Sequence, residues 1–277
     1  MSVEAPFELI DDGLAARVDS SRPVTIRGYL PALDRRAAEA SVDRARGDLG
    51  HLQAFGLRPI GELETRVVQE EDWADAWKTH FPVLRVGRRL VIRPTWRDHE
   101  AAPGDVVLAL DPGMAFGTGL HPTTRLCLAA LEDLADERRV RGARVLDVGS
   151  GSGILSVAAG LLGARSVVAV DTDPIAAEST AANAGLNKLD DVIVARRGSV
   201  PVADPPFDVV LANLIASLLV DLAAELRQSV APGGRLIASG IFIDREAEVA
   251  GAFEDAGLHV VGRLAETDWV ALTAAAG

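Results

Sequence analysis

The stretch Val145-Leu146-Asp147-Val148-Gly149-Ser150-Gly151-Ser152-Gly153, followed by Ile154 and a helical run to Leu162, decides the fold. An apolar strand ends in a glycine-rich turn, and the turn opens a helix. Glycines let the backbone approach a ligand closely, and the first N–H groups of a helix have no partner within it. Such a turn also occurs without a ligand, so its spacing must discriminate. A dinucleotide site requires G-x-G-x-x-G, whose third glycine admits close helix packing. Counting from Gly149 puts Ile154 at that place, and counting from Gly151 puts Ser156 there. The run reads instead as D-x-G-x-G-x-G. Its acid, Asp147, suits a cationic amino-acid portion of a ligand and repels a pyrophosphate. Gly149 and Gly151 become the expected places where the backbone approaches a ligand with such an end.

Outward from this run, apolar stretches alternate with helical spacing from about Asp105 to the C-terminus. Strands are expected at 144–148, 166–171, 192–195, 208–213, 235–239, 259–264 and 269–274, and helices at 123–135, 153–162, 175–184, 215–230 and 245–256. Strands apolar along their whole length are covered on both faces, which is the mark of a mostly parallel sheet. The fold class is therefore α/β, a doubly wound, mostly parallel, Rossmann-like sheet over 105–277.

Three further places carry chemistry. Asp171 closes the next strand, 24 positions after Asp147. An acid there takes the two hydroxyls of a ribose, although it also reads as a helix cap before Pro174, a role Asp173 fills equally well. Asn213 ends the strand of Val209-Val210-Leu211-Ala212, near the expected switch point of the sheet, where ligands bind in open α/β folds. Its amide suits orienting an amine, and it also reads as a cap for helix 215–230. The loop from Asp111 to Thr124 holds three glycines and leads through Thr123 and Thr124 into a helix, a composition suited to covering a ligand. His121 in that loop reads as a structural residue or a base.

The first 68 residues have a different texture, strand–helix–strand, with alternation at 24–30 and 62–68 and helical spacing at 34–55. This is a small α+β module. A short helix at 70–81 places Trp73 and Trp77 on one face. It is followed by an extended segment, 89–92, that ends at Pro94 and Trp96, so 69–104 reads as linker and connector.

Composition narrows the function classes. The chain has 277 residues, 28 Lys and Arg against 40 Asp and Glu, and a formal net charge of −12. Nucleic-acid binding calls for a basic stripe, so no direct nucleic-acid partner is expected, while the acidic balance suits an enzyme that receives a basic partner and equally serves solubility alone. The single cysteine, Cys127, excludes an internal disulfide framework and a Cys-rich zinc site. It reads as a core residue, and no metal is expected. No signal peptide or membrane span is visible, so a cytoplasmic enzyme is expected.

The Asp111–Thr124 loop, the run from Asp147 to Leu155 and Asn213-Leu214-Ile215-Ala216 together resemble the ribosomal protein L11 methyltransferase (PrmA) family. Trp73, Trp77, Pro94-Thr95-Trp96 and Gly240-Ile241 add to the likeness, which spans about residue 70 to the C-terminus. The loop is specific to that family, whereas the glycine run is shared by class I methyltransferases. The resemblance implies S-adenosylmethionine as cofactor and trimethylation of lysine and N-terminal amines of the ribosomal protein. It implies that Thr124, Gly149, Asp171 and Asn213 bind the cofactor, and that the N-terminal module recognises the substrate. The family begins with an extra strand and helix before the segment resembling 7–17, so this chain is expected to start late or to carry a reduced module.

Methyl transfer from a sulfonium is an in-line displacement that needs mainly proximity and alignment. Asn213 is therefore the expected catalytic residue, and no obligate side-chain base is assigned. Three other readings stand beside this one: a methyltransferase for another protein or a small molecule, an inert S-adenosylmethionine-binding protein, and, more distantly, a nicotinamide oxidoreductase.

Overall fold

The structure is a computed structural model. It describes residues 81–111, 119–204 and 206–277, with 2–4, 7–10, 15–18, 25–27, 42–43, 46 and 63–65. The chain divides into two compact units, Met1–Trp73 and Ala74–Gly277.

In the first unit, β1 (Ser2–Glu4) pairs antiparallel with β4 (Thr25–Arg27), and β2 (Phe7–Ile10) pairs antiparallel with β3 (Ala15–Val18). Residues 42–43 and 46 are helical, within the helix expected at 34–55, and the rest of that helix lies outside the described residues. Residues 63–65 carry no regular structure where a strand was expected at 62–68. Alternating residues show only that a segment suits a sheet; a strand also requires a neighbouring edge. The linker helix, with Trp73 and Trp77, lies outside the described residues apart from Phe81.

The second unit opens with a three-stranded sheet. β5 (Leu84–Val86) runs antiparallel to β6 (Leu90–Pro94), which runs parallel to β7 (Val106–Leu110). Helix α1 (Pro122–Asp136) follows, and its fully buried Glu132 accepts hydrogen bonds from the N–H groups of Arg88 (2.6 Å) and Arg89 (2.7 Å). That carboxylate ties the β5–β6 turn to the helix.

The main sheet then forms from β8 (Arg144–Val148), β9 (Ser166–Asp171), β10 (Ile193–Arg197), β11 (Phe207–Asn213), β12 (Val230–Phe242), β13 (Leu258–Glu266) and β14 (Trp269–Ala276). Its order is β10-β9-β8-β11-β12-β14-β13, with only β14 antiparallel to its neighbours. The doubly wound, mostly parallel sheet read from the sequence is the one observed.

Period-two alternation divides each central strand between two cores. Val145, Val167, Val209 and Leu211 join β6, β7, α1 and α2 (Ile154–Leu161) on one face. Leu146, Val168, Val210 and Ala212 join α4 (Ala216–Asp221), α5 (Ala223–Ser229) and α6 (Glu246–Asp255) on the other. Helix α3 (Pro174–Leu186) buries Ala184 in the first core. Among the described residues no helix is long and apolar enough to cross a membrane.

Two elements differ from expectation. The single helix expected at 215–230 is two, broken at Leu222. The first piece packs on α6 and β12 and the second on β11, β12 and α6, so packing rather than a glycine or proline sets the break. β12 extends well beyond 235–239, because Val230 pairs with Phe207 across a bulge that absorbs Gly233 and Gly234.

Candidate cofactor and active site

The chain passes from β8 to β9 on one side and returns to β11 on the other, so the switch point lies between β8 and β11. Ala212 pairs with Val148, which sets Asn213 level with Gly149 at the carboxyl edge of the sheet. Two places 64 residues apart in sequence thus become neighbours at the edge where open α/β sheets bind ligands.

The glycine turn has the backbone expected of it. Gly149 has φ +74°, and a Cβ there would lie 2.5 Å from Leu214 Cδ2. At Gly153, with φ +78°, a Cβ would lie 2.8 Å from Thr180 Cα, so any larger residue would push α2 away from α3. The N–H groups of Gly149 (2.8 Å) and Ser150 (3.2 Å) both donate to Val170 O, closing the turn over the end of β9. Helix α2 begins with no side-chain cap on its N–H groups.

Asp171 sits half-buried at the end of β9. Its Oδ2 accepts from Gly151 N at 3.0 Å and its Oδ1 from Asp173 N at 2.9 Å. A carboxylate offers about four acceptor positions, so about two remain, which is what a ribose diol requires. Asp173, not Asp171, caps α3, accepting from Ile175 N at 2.9 Å. The choice left open by the sequence is thereby settled as to the cap.

Asp147 is fully buried, and its Oδ2 accepts from the Ser156 hydroxyl at 2.6 Å. Its Oδ1 has no hydrogen-bond partner among the described residues. Burial pushes its pKa up to about 6; hydrogen bonds from Ser156 oppose the rise, and the charge on Asp171 adds to it. A buried acceptor without a partner beside the glycine turn fits a cofactor that brings a cation.

Asn213 donates through Nδ2 to Thr124 Oγ1 at 3.4 Å, and Thr124 is itself fully buried. Asn213 is not the cap of α4; Ile215 occupies that position and offers no side-chain hydrogen bond. Among the described residues no donor meets the Asn213 Oδ1. His121 caps α1, its Nδ1 lying 2.8 Å from Thr123 Oγ1, and its ring meets Trp269 edge-on at 4.8 Å. Burial, with the charge of Arg125 adding and that of Glu266 opposing, lowers the His121 pKa. Trp269 stacks on Phe242 at 3.9 Å, and Glu266 pairs with Arg125, so the β13–β14 hairpin braces the start of α1. Residues 112–118 of the preceding loop lie outside the described residues. Among the described residues no group of three or more His, Cys, Asp or Glu is placed to hold a metal ion. Cys127 is fully buried in the core, and burial raises its thiol pKa.

The face of α3 that holds the turn is not among the places that the sequence singles out. Thr180 Oγ1 lies 3.0 Å from Ser150 Oγ and donates to Gly151 O at 3.1 Å. Asn183 Nδ2 donates to Ser152 O (2.8 Å) and Asp111 O (3.0 Å), and its Oδ1 accepts from Asp111 N (2.9 Å). Asn187 exchanges the same pair of bonds with the backbone of Ala109 (2.9 and 2.7 Å). The two amides act as a neighbouring strand for the end of β7. The available signal was polar residues at helical spacing on a helix that also presents Ala176 and Ala184 to the core.

The geometry suits proximity catalysis: a backbone cradle, an acid for a diol, and an amide acceptor beside them. Comparisons with known proteins identify the family. The family model described as "Ribosomal protein L11 methyltransferase (PrmA)" matches residues 15–276. A ribosomal protein L11 methyltransferase of Chloroflexus aurantiacus is 45% identical, over 98% of this chain and 88% of that protein. One of Citrifermentans bemidjiense is 48% identical, over 90% of this chain and 81% of that protein. The solved ribosomal protein L11 methylase of Lactobacillus delbrueckii subsp. bulgaricus aligns with a TM-score of 0.64 at 32% identity, covering 69% of this chain and 97% of that one. Matched along nearly its whole length by the family model and by relatives of this identity, the chain belongs to the ribosomal protein L11 methyltransferase (PrmA) family.

Proposed function

We propose that this enzyme transfers methyl groups from S-adenosylmethionine to lysine and N-terminal amines of ribosomal protein L11, in the cytoplasm. The observation that carries the reading is the meeting of Asn213 with Gly149 and Thr124 at the switch point of the sheet. In this reading residues 1–68 recognise the protein substrate, 69–104 link and connect, and 105–277 bind the cofactor and catalyse.

S-adenosylmethionine supplies a methyl group activated by its sulfonium. Gly149 and Gly151 let the backbone close on it, and Asp171 takes the ribose hydroxyls with its remaining acceptor positions. Asp147 balances cationic charge from within the sheet. Thr124 steadies the Asn213 amide and lines the cofactor site. Asn213 also contacts the cofactor, and its Oδ1 accepts an N–H of the incoming amine, which aims the nitrogen lone pair at the methyl carbon. A lysine amine, with a reference pKa of about 10.4, must lose its proton first, and a partly desolvated site favours the neutral form. Most of the acceleration then comes from holding the two reactants in line.

The test is mass spectrometry of L11 purified from an unmethylated strain, after incubation with the enzyme and S-adenosylmethionine. Methyl increments on lysine or the N-terminus are expected. Cofactor binding with no transfer to L11 would assign the enzyme to another acceptor, and no cofactor binding would refute the methyltransferase reading altogether.

A further inference from the structure

Of the nine large hydrophobic side chains left exposed among the described residues, five gather at the carboxyl edge of the sheet beside Asn213. Ile215 (63% exposed) and Leu218 (42%) stand at the start of α4, two and five residues past Asn213. Phe242 (47%) and Ile243 (50%) stand where β12 ends, and Leu120 precedes the cap of α1. Gly240 is pressed against the Leu214 backbone so closely that no Cβ fits, which brings these two groups side by side. Trp269 continues the surface, lying between the rings of His121 and Phe242.

The rim of this patch is acidic. Asp221, Asp244 and Asp268 are exposed and make no ion pair among the described residues, whereas the nearby Arg125, Arg245 and Arg263 are each paired with a glutamate. Grouped exposed apolar side chains with a polar rim mark an interaction site. Two copies meeting through this face would set the acidic rims against each other, since a two-fold contact uses the same patch twice. Five part-exposed side chains also fall short of the ~800 Å² per partner of a standard stable interface. A basic polypeptide complements the rim, and the patch adjoins the amide that would receive its amine.

We propose that Ile215, Leu218, Phe242 and Ile243, rimmed by Asp221, Asp244 and Asp268, form a docking surface on the catalytic unit for the acceptor protein. It grips an apolar and basic stretch of polypeptide next to the amine being methylated. The proposal rests on the reading of the chain as an L11 methyltransferase. It adds a second grip on the acceptor, separate from the N-terminal module.

The double variant Ile215→Ser/Ile243→Ser tests it, with intact L11 as acceptor and the full chain as enzyme. Each truncated contact near the centre of such a surface weakens binding roughly tenfold. The KM for L11 should rise at least tenfold, with kcat, the dissociation constant for S-adenosylmethionine and the thermal midpoint essentially unchanged. Asp244→Asn/Asp268→Asn should flatten the salt dependence of kcat/KM. An unchanged KM in the Ile215/Ile243 double variant overturns the docking surface. So does a wild-type dimer, seen by sedimentation, that the variant loses while its KM holds, since the patch would then belong to a second copy. Wild-type enzyme that binds cofactor but leaves L11 unmethylated overturns the functional reading first, and the docking surface with it.

Discussion

Replacing Asp147 by asparagine should separate the charge of this carboxylate from its shape. Asp147 is fully buried, one of its oxygens has no partner among the described residues, and burial raises its pKa from an ordinary 3.8 to about 6. A carboxyl whose folded pKa lies above its unfolded value binds its proton more tightly in the fold. Its contribution to stability is therefore full below the unfolded value and is lost as pH rises through the folded one. A rise of about two units, at ~1.4 kcal/mol each, makes that loss roughly 3 kcal/mol. Somewhat under half of it, about 1.3 kcal/mol, falls between about pH 5 and pH 7.

Asp147→Asn has no such titration. In ligand-free protein the stability of the wild type relative to the variant should therefore fall by about 1.3 kcal/mol over that range. For a unit of this size the shift corresponds to about 3–5 °C in the difference of thermal midpoints. The new amide also introduces a donor that has no acceptor in place, which costs the variant about 1–3 kcal/mol at every pH. The slope, not the absolute difference, is thus the diagnostic quantity. Thermal unfolding followed by circular dichroism across this range measures it. A wild-type-to-variant difference that does not change with pH would refute the argument that burial raises the pKa of this carboxyl.

Three further outcomes follow from the site. Asn213→Ala should lower kcat about a hundredfold through lost alignment while changing the cofactor dissociation constant only a few-fold, as single-turnover kinetics and calorimetry would show. Asp171→Ala removes the acceptor for Gly151 N and Asp173 N together with the proposed diol contact; calorimetry should find cofactor affinity reduced by about a hundredfold or more. Asn183→Ala removes three hydrogen bonds, one to Ser152 O and two to the backbone of Asp111; urea unfolding should show a loss of about 2–4 kcal/mol, accompanied by weaker cofactor binding as the turn loosens.

Much of the sheet was legible because its signals are local. β8 and β9 fall at the expected bounds, since an apolar run that ends at Gly149 or at Asp171 is delimited by its own chemistry. β7 was not foreseen, although Val106-Val107-Leu108-Ala109-Leu110 is apolar throughout; its edge is completed by Asn183 and Asn187, more than 70 residues away. The break at Leu222 was invisible for a similar reason. Nothing in its own residues stops a helix, and the turn there follows from packing on α6 and on the sheet.

For the candidate site, the sequence by itself determined which residue types were present: a glycine turn, an acid 24 residues after Asp147, an amide at a strand end and a threonine-bearing loop. What each is free to do was decided by tertiary structure. Asp173 and Ile215 occupy the cap positions, which releases Asp171 and Asn213 for other roles. Strand register sets Asn213 level with Gly149, and the packing of α1 brings Thr124 to it from 89 residues away. Spacing along a chain fixes only what lies within a turn or a strand. Hydrogen-bond partners and burial depend on which elements pack together, and so does the Asp147 oxygen that has no hydrogen-bond partner among the described residues.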